Sequence, residues 1–266
     1  MVASNNSVKK ALGLLQLLAG AHRPLRFTDM QAASGIPKGT LHSLLASLEE
    51  ADFVARSTAG YEIGVGAFQV GTAVRAPASL RGAASPLLDQ LFEEHGEACH
   101  FGMLHGGDVV YIDRRDSSHA LRYTSRIGTR KPAYATALGK AMLALHSDSY
   151  IENLYPARLP ALTPRTITSR TAILSILQEV RRQGFATESE ESTPGVCCIG
   201  MAGRLNDLVY GVSITVPVQR AQPEDLPAFL PSLEKIVAKL DRTLTTTDYF
   251  DPAGLGVRES DVVAGW

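Results

Sequence analysis

The chain has 266 residues, a net charge of −1 and 45% hydrophobic residues, so it holds enough apolar side chains for ordinary cores and favours two domains. The near-neutral charge excludes a uniformly basic nucleic-acid-binding protein. Three cysteines are too few for a disulfide framework, and the first apolar run, Ala11–Ala21, is too short to cross a bilayer. Without a signal-peptide pattern either, we expect a cytoplasmic protein with reduced thiols and no membrane partner.

Basic side chains are concentrated towards the N-terminus. Residues 1–75 hold seven Lys or Arg and five Asp or Glu, a balance of +2, and leave −3 for the rest of the chain. This asymmetry has the sign expected of an N-terminal DNA-binding domain, although alone it is weak evidence.

The first 63 residues predict three helices and a hairpin, the order of a winged helix-turn-helix. The expected elements are a helix at Val8–Leu18, a helix capped by Thr28 and Asp29 and ended by Gly35, a helix begun by Pro37, and a hairpin at Phe53–Ile63 that turns at Gly60.

The remaining sequence predicts an α+β domain with a mostly antiparallel sheet, because strands and helices come in blocks with hairpin connections. A linker helix at Ala67–Arg75 leads to a connection at Ala76–Ser79. Expected strands are Ala98–Leu104, Val109–Arg114, Ala120–Ile127, Phe185–Thr187, Val196–Arg204 and Val209–Val216. Expected helices start at Pro86, Thr136 and Asp148, end at Gly184, and cover Leu226–Leu240.

These patterns divide the chain into three parts. Residues 1–75 form the winged helix-turn-helix with its linker helix, residues 76–247 form the larger domain, and residues 248–266 are a disordered tail, because helical periodicity fails beyond Thr247.

The third helix carries the sharpest local argument for DNA binding. At helical spacing its leucines share one face, which would pack on the first two helices, and the opposite face is small and polar, as entry into a major groove requires. The first residues of the helix could hold a phosphate. The candidate DNA-binding residues are Arg26, Thr28, Lys38, Gly39, Thr40, His42, Ser43 and Arg56. An ordinary amphipathic surface helix would show the same leucine stripe.

Several blocks, in order over residues 7–245, resemble the IclR family of regulators. They are Thr28–His42 with Leu44–Ala51, Tyr61–Gly64, Arg126–Pro132 with Thr136–Ala141, Glu190–Glu191 with Gly195–Val196 and Cys198–Ile199, and Gly211–Ile214. The resemblance implies a GAF-like effector-binding and oligomerisation domain at residues 76–247, a homodimer or dimer of dimers, double-stranded operator DNA as partner, and no cofactor.

The resemblance also implies where an effector binds. The site would be lined by Ala135, Thr136, Ala137, Leu138, Glu188, Cys198, Ser213 and Thr215, with Phe101, Met103 and Tyr123 shaping it if their side chains point inward. Helix-start N–H groups and small donors suit a carboxylate, which indicates a small organic acid.

Three positions depart from the family's pattern. Ser43 stands where many relatives carry an arginine on the recognition helix, Gly39 replaces a more usual serine, and Glu188 stands where relatives often have aspartate. The operator is therefore expected to differ from those of many relatives.

The resemblance implies a DNA-binding transcriptional regulator, a repressor whose operator affinity is controlled by a small organic acid, and two other functions are alternatives. Cys197 and Cys198 raise a redox-sensing alternative, although neighbouring strand residues face opposite sides of a sheet. The spacing of His95, Cys99, His100 and His105 is too loose for a zinc site. An enzyme on a GAF fold is a further alternative, but no phosphate-binding loop, HExxH or GxSxG motif is present.

Overall fold

The computed structural model describes residues 5–73, 75–120 and 125–246. Its contacts separate two compact units, Met1–Arg75 and Ala76–Trp266. Among the described residues, none of the helices combines the length and apolar composition needed to cross a membrane.

The first unit is a winged helix-turn-helix. Its elements are α1 (Asn6–Gly20), α2 (Phe27–Ser34), α3 (Lys38–Glu50), β1 (Val54–Ser57), β2 (Gly60–Ile63) and α4 (Val65–Thr72). Its core is formed by Leu14, Leu18, Met30, Ile36, Leu41, Leu45 and Val54. The leucine stripe of α3 thus packs inward, as its helical spacing predicted.

Two glycines adopt backbone conformations in this unit that other residues rarely adopt. Gly35 ends α2 in the left-handed conformation at φ 64°. At Gly60, φ is 142° and a Cβ would lie 2.5 Å from the Leu25 carbonyl oxygen, so only glycine allows the wing to reach the segment before α2. That segment pairs with the wing through hydrogen bonds between Leu25 and Tyr61.

The second unit is built on one antiparallel sheet of six strands. In chain order the elements are α5 (Arg75–His95), β3 (Ala98–His105), β4 (Asp108–Arg115), β5 (Arg130–Pro132), a 3₁₀ turn (Ala133–Ala135), α6 (Ala137–Leu143), α7 (Asp148–Leu154), α8 (Arg170–Gln183), β6 (Ala186–Ser189), β7 (Val196–Leu205), β8 (Leu208–Pro217), a 3₁₀ segment (Pro223–Phe229) and α9 (Leu230–Thr246). The strand order across the sheet is β5-β4-β3-β8-β7-β6.

The sheet has a separate core on each face. On one face, side chains of β3, β7 and β8 share a core with α5 and α9, in which Leu88 and Leu240 are fully buried. On the other face, α6, α7 and α8 form a second core around Leu138 and Leu177. The unit is therefore a helix–sheet–helix α+β domain, as the sequence predicted.

Four expectations about elements are corrected by the structure. The Ala76–Ser79 connection and the helix expected to start at Pro86 both lie inside the single helix α5. Pro77 lies in the first helical turn, where the missing N–H would be unpaired in any case. Pro86 lies in the interior and removes one backbone hydrogen bond, and the packing of the helix keeps it continuous there. Ser147, rather than Asp148, caps α7. The expected final helix begins as a 3₁₀ segment that contains Leu226.

The strand expected at Ala120–Ile127 is also corrected where it can be judged. Residues 121–124 lie outside the described residues, and Ser125–Ile127 has no strand conformation. The strand at that edge of the sheet is β5, where Val110 of β4 pairs with Arg130. The expected tail, residues 248–266, lies outside the described residues.

Candidate functional site

The exposed face of α3 carries the expected small and polar side chains. Leu41 and Leu45 are buried, whereas Gly39, His42 and Ser43 are exposed. A helix that buries its leucines and presents a face without bulky side chains can approach the base edges of a major groove closely.

The beginning of α3 leaves its first amides open. Pro37 precedes the helix, and no side chain caps it. Lys38 is exposed and Thr40 is half-buried, so a cation, a hydroxyl and uncapped N–H groups lie together within one helical turn. This combination attracts an anion such as a phosphate, because the positive end of the helix dipole adds to the side-chain charge.

The other three expected DNA-binding residues are also exposed. Arg26 precedes α2 and donates its backbone N–H to the Asp29 carboxylate at 3.3 Å. The cap expected from Thr28 and Asp29 is therefore provided by Asp29, at the third helical position, and Thr28 takes no part in it. Arg56 lies on the wing strand β1, with its guanidinium carbon 5.5 Å from the centre of the Tyr61 ring. Stacking on an aromatic ring limits the freedom of this cation.

An open groove of about 560 Å³ lies elsewhere in the first unit, between α1 and the α2–α3 turn. Its walls include Gly13, Leu17 and Ile36. It contains none of the expected effector residues.

In the second unit, α6 is seated directly on the sheet. A Cβ at Gly211 would lie 2.6 Å from a Leu138 methyl carbon, and a Cβ at Gly200 would lie 2.9 Å from the Leu138 backbone nitrogen. Gly102 of β3, which pairs with Gly211, completes this glycine floor. Because no side chains stand between the helix and the strands, the start of α6 lies close to the polar residues of β7 and β8.

A small cavity of about 10 Å³ lies between the start of α6 and the sheet. It is lined by Tyr111, Thr136, Ala137, Leu138, Glu188, Ser192, Val196, Cys198, Ser213 and Thr215. This volume is about that of one water, whereas sites for small molecules typically enclose about 300–1,000 Å³. An organic ligand therefore requires the cavity walls to move apart.

A chain of polar groups runs along the wall of the cavity. The Cys198 thiol lies 3.2 Å from the Thr215 hydroxyl, which lies 3.4 Å from Nδ1 of His100. Nε2 of His100 lies 2.9 Å from the Ser125 hydroxyl. Burial, with a smaller contribution from the Arg114 charge, lowers the pKa of His100 to about 4, so this imidazole is neutral at physiological pH.

Two buried carboxyl groups lie at the opposite wall. Glu188 on β6 accepts the backbone N–H of Glu191 at 2.9 Å, and Glu191 forms an ion pair with Lys140 of α6. Lys140 is only 1% exposed. Burial raises the pKa of both carboxyl groups, that of Glu188 to about 7, although the Glu191 N–H and the Lys140 ammonium oppose the rise.

The loop between β6 and β7 covers the cavity through Ser192. Glu190 in this loop adopts φ 59°, a conformation that is uncommon without glycine. Thr163 and Thr166 donate their hydroxyls to the backbone carbonyl oxygens of Glu190 and Glu191 at 2.7 and 2.6 Å. These hydrogen bonds hold the loop against Thr163 and Thr166.

Most of the expected effector residues meet at this cavity, but Phe101 and Met103 do not. Thr136, Ala137, Leu138, Glu188, Cys198, Ser213 and Thr215 line it, and Ala135 is buried directly before the helix. Phe101 and Met103 instead belong to the core on the opposite face of the sheet. Alternation along β3 places His100 and Gly102 on the α6 face, so Phe101 and Met103 point to the other face. Tyr123 lies outside the described residues.

Sequence reasoning missed five residues at or beside this cavity. Tyr111, Ser192 and Val196 line it, and Lys140 and Glu191 form the ion pair below it. Alternation from Val109 to Tyr111 could have indicated Tyr111. No local signal marks Lys140, because a lysine in a short helix is ordinarily exposed.

The cysteines do not have the environment of redox sensors. Cys197 and Cys198 point to opposite faces of the sheet, and all three cysteines are free. Burial raises the pKa of Cys197 to about 11 and that of Cys198 well above its usual value, which disfavours the reactive thiolate. Within residues 5–73, 75–120 and 125–246, no group of three or more His, Cys, Asp or Glu side chains is placed to hold a metal ion.

Family models match both units. The model of the bacterial transcriptional regulator IclR C-terminal domain matches residues 73–242, and the IclR helix-turn-helix domain matches residues 7–58.

Individual relatives match this chain over most of its length. The HTH-type transcriptional regulator XynR of Escherichia coli is 30% identical over 243 residues, covering 90% of this chain and 96% of its own. The transcriptional repressor IclR of E. coli is 27% identical over 230 residues, 84% of each chain. A crystal structure of an IclR transcriptional regulator from Alicyclobacillus acidocaldarius superposes with a TM-score of 0.74 at 25% identity, covering 90% of this chain and 99% of that one.

Proposed function

The chain belongs to the IclR family of bacterial transcriptional regulators, and we propose that it is a cytoplasmic repressor that binds a near-palindromic operator and responds to a small organic acid. Members of this family regulate transcription and are not enzymes, so the GAF-fold enzyme alternative is set aside. The redox alternative is set aside because Cys197 is buried, Cys198 is half-buried and desolvation raises the pKa of both thiols.

The exposed polar face of α3 is the observation that carries the DNA-binding part. His42 and Ser43 would face base edges in the major groove, and Thr40 with Lys38 would contact a phosphate at the helix start. Arg56 on the wing and Arg26 before α2 would contact the flanking backbone. Since one unit with a local charge of +2 offers few phosphate contacts, paired half-sites must supply much of the affinity.

The first prediction separates a phosphate contact from a base contact on α3. Thr40→Ala is expected to weaken binding to all operator variants about equally, because a phosphate contact carries no sequence information. His42→Ala is expected to change the preference among operator variants by about 1–3 kcal/mol, because it removes a base contact.

The measurement is footprinting and quantitative gel shift on DNA from the promoter region of the chain's own gene. Gln16→Ala, an exposed change on α1, is the control and is expected to leave the footprint intact. Unchanged DNA affinity in both α3 variants would show that α3 is not the reading helix. A wild-type protein without any protected site would overturn the operator proposal.

The effector part rests on donors that converge on the small cavity. The Ser213 and Thr215 hydroxyls and the start of α6 provide hydrogen-bond donors for a carboxylate. The apolar walls, Leu138 and Val196, suit a short aliphatic or aromatic body. Because the closed cavity holds about one water, the acid would bind an opened arrangement and shift the population towards it. Such a shift typically changes affinity at a second site by about 5–150-fold.

The second prediction tests this cavity with a thermal-shift screen of lactate, succinate, benzoate and 4-hydroxybenzoate. An acid that binds is expected to raise the Tm of the wild type and to change its operator affinity. Ser213→Ala is expected to lose much of that Tm increase, because it removes a donor to the carboxylate. Ser175→Ala on the exposed face of α8 is the matched control and should respond as the wild type does.

The result can contradict the assignment in two separate ways. Equal stabilisation of the wild type and Ser213→Ala would exclude Ser213 as an effector contact. Stabilisation without any change in DNA affinity would leave a binding domain that does not control the operator.

Self-association is the third part of the proposal. The first unit exposes several large apolar side chains: Val8 and Leu12 of α1, and Val65, Phe68 and Val70 of α4. Scattered apolar residues are normal on a surface, but Val65 and Phe68 lie one helical turn apart on a short helix, as in an interface patch. We propose that a second copy of the chain covers this patch, because a near-palindromic operator is bound by a symmetric dimer.

A further inference from the structure

Glu188 presents an unusual polar atom to the cavity. Its side chain is buried, with 3% of the residue exposed, and its Oε2 accepts the Glu191 N–H. Its Oε1 is buried and has no hydrogen-bond partner among the described residues. A buried carboxyl oxygen without a donor is costly when ionised, so this atom is available to a proton or to a ligand's donor.

Across the described residues 5–73, 75–120 and 125–246, no cation forms an ion pair with Glu188. From α6, the Lys140 ammonium is already paired with Glu191. On the covering loop, Glu190 accepts the Gly195 N–H and pairs with Arg165. From β5, Lys131 reaches the loop at the Thr193 hydroxyl, 3.4 Å away, and does not line the cavity.

The strands and the 3₁₀ segment packed near Glu188 add no positive charge either. On β7, the Cys198 thiol lies 3.2 Å from the Thr215 hydroxyl of β8 and also approaches the Glu188 carboxyl as a weak, uncharged donor that lowers the pKa of Glu188. On β3, His100 is neutral because burial lowers its pKa to about 4. Asp225 of the 3₁₀ segment raises the pKa of Cys197, whose side chain belongs to the opposite face of the sheet.

Glu188 is therefore poised between its two protonation states near neutral pH. Burial raises its pKa to about 7, although hydrogen bonds from the Glu191 N–H and the Cys198 thiol lower it, and the Glu191 carboxylate adds a smaller rise. A second anion in the cavity would oppose the ionised form further, because two carboxylates in contact cannot both remain charged at low cost.

We propose that a carboxylate effector enters this cavity together with one proton, which is taken from solvent by Oε1 of Glu188. The resulting O–H donates a hydrogen bond to the effector's carboxylate, so the group that repels the anion when ionised becomes its donor. This inference rests on the proposed organic-acid function and adds that effector binding, and hence operator control, senses pH.

The sign of the pH dependence follows from the protonation of the free protein. Below about pH 7, Glu188 of the free protein is mostly protonated, so the affinity for the acid is nearly independent of pH. Above about pH 7 each binding event must take up a proton, so the association constant falls about tenfold per pH unit until the raised pKa of the complex is reached. The same acid is therefore a weaker effector at alkaline pH.

Proton uptake is measured directly by titration calorimetry on the full chain at pH 8, in phosphate and in Tris. The probe is the acid with the largest thermal shift among lactate, succinate, benzoate and 4-hydroxybenzoate, and the matching neutral amide is the control ligand. The difference in heat between the buffers is expected to correspond to nearly one proton per site for the acid and none for the amide.

Two variants locate the proton. Glu188→Gln copies the protonated carboxyl, so it is expected to bind the acid without proton uptake and with an affinity that does not change between pH 6 and 8. Glu190→Gln removes a carboxylate of the covering loop and should retain the wild-type uptake. If Glu188→Gln does not fold, infrared difference spectra of the wild type supply the readout, through a carboxylic acid C=O band that appears on binding.

The outcomes separate this inference from the function it rests on. An acid that binds the wild type without proton uptake would overturn the inference and leave the organic-acid effector intact. Uptake that persists in Glu188→Gln would assign the proton to another group. Failure of all four acids to bind would overturn both.

Discussion

Lys140→Met is expected to lower the free energy of unfolding of the effector-binding unit by about 3–5 kcal/mol, because it leaves the Glu191 carboxylate buried without its ion-pair partner. Oε2 of Glu191 already has no hydrogen-bond partner among the described residues. The loss would therefore be large although only one side chain changes. Urea unfolding of the full chain, followed by circular dichroism, measures it.

Two further variants test whether the loss comes from the buried unpaired charge. Lys140→Met/Glu191→Leu is expected to recover most of the loss, because replacing both partners by apolar groups removes the unpaired charge. Arg182→Met breaks an exposed ion pair with Glu179 and is expected to leave the free energy of unfolding nearly unchanged, because solvent screens exposed charges.

The loss in free energy of unfolding caused by Lys140→Met, called the deficit below, is also expected to depend on pH. Burial raises the pKa of Glu191, and removing the lysine takes away the charge that opposes this rise. At acidic pH Glu191 is protonated and carries no buried charge, so the deficit is expected to be smaller at pH 5 than at pH 8. A deficit below about 1 kcal/mol at pH 8 would show that the pair contributes no more than a surface ion pair.

Phe68→Glu is expected to convert the protein to monomers and to weaken operator binding by about 100-fold or more. Phe68 is 71% exposed on α4, one turn from Val65, and a carboxylate there would have to be desolvated in an interface. In a dimer, binding of one DNA-binding unit to its half-site makes the binding of the second unit intramolecular. Loss of the dimer therefore removes an avidity gain of about 10²–10⁴.

Mass photometry or sedimentation, together with gel shift on the same samples, tests this expectation. Gln69→Glu introduces the same charge at the next exposed position of α4 and is expected to preserve assembly if Phe68 is a specific contact. A Phe68→Glu protein that remains oligomeric would place the interface elsewhere. A monomeric variant with full operator affinity would remove the need for paired half-sites.

The sequence by itself determined the parts of this protein that depend on local periodicity and on turn chemistry. The leucine spacing of α3 predicted its buried face, because a helix with one apolar stripe has one stable way to pack. Gly35 and Gly184 ended their helices in the left-handed conformation, which glycine adopts without a steric penalty. The resemblance of ordered blocks to one family predicted the regulator, and the family models confirmed it.

Only the tertiary structure decided what lies inside the effector cavity. β3 and β8 are buried on both faces, so their apolar residues show no alternation that tells one face from the other, and Phe101 was assigned to the wrong face. Every residue of α6 is buried, so no stripe distinguished Lys140 from its neighbours. The pairing of Lys140 with Glu191, the free oxygen of Glu188 and the volume of the cavity arise from contacts between residues distant in the chain, which local spacing does not encode.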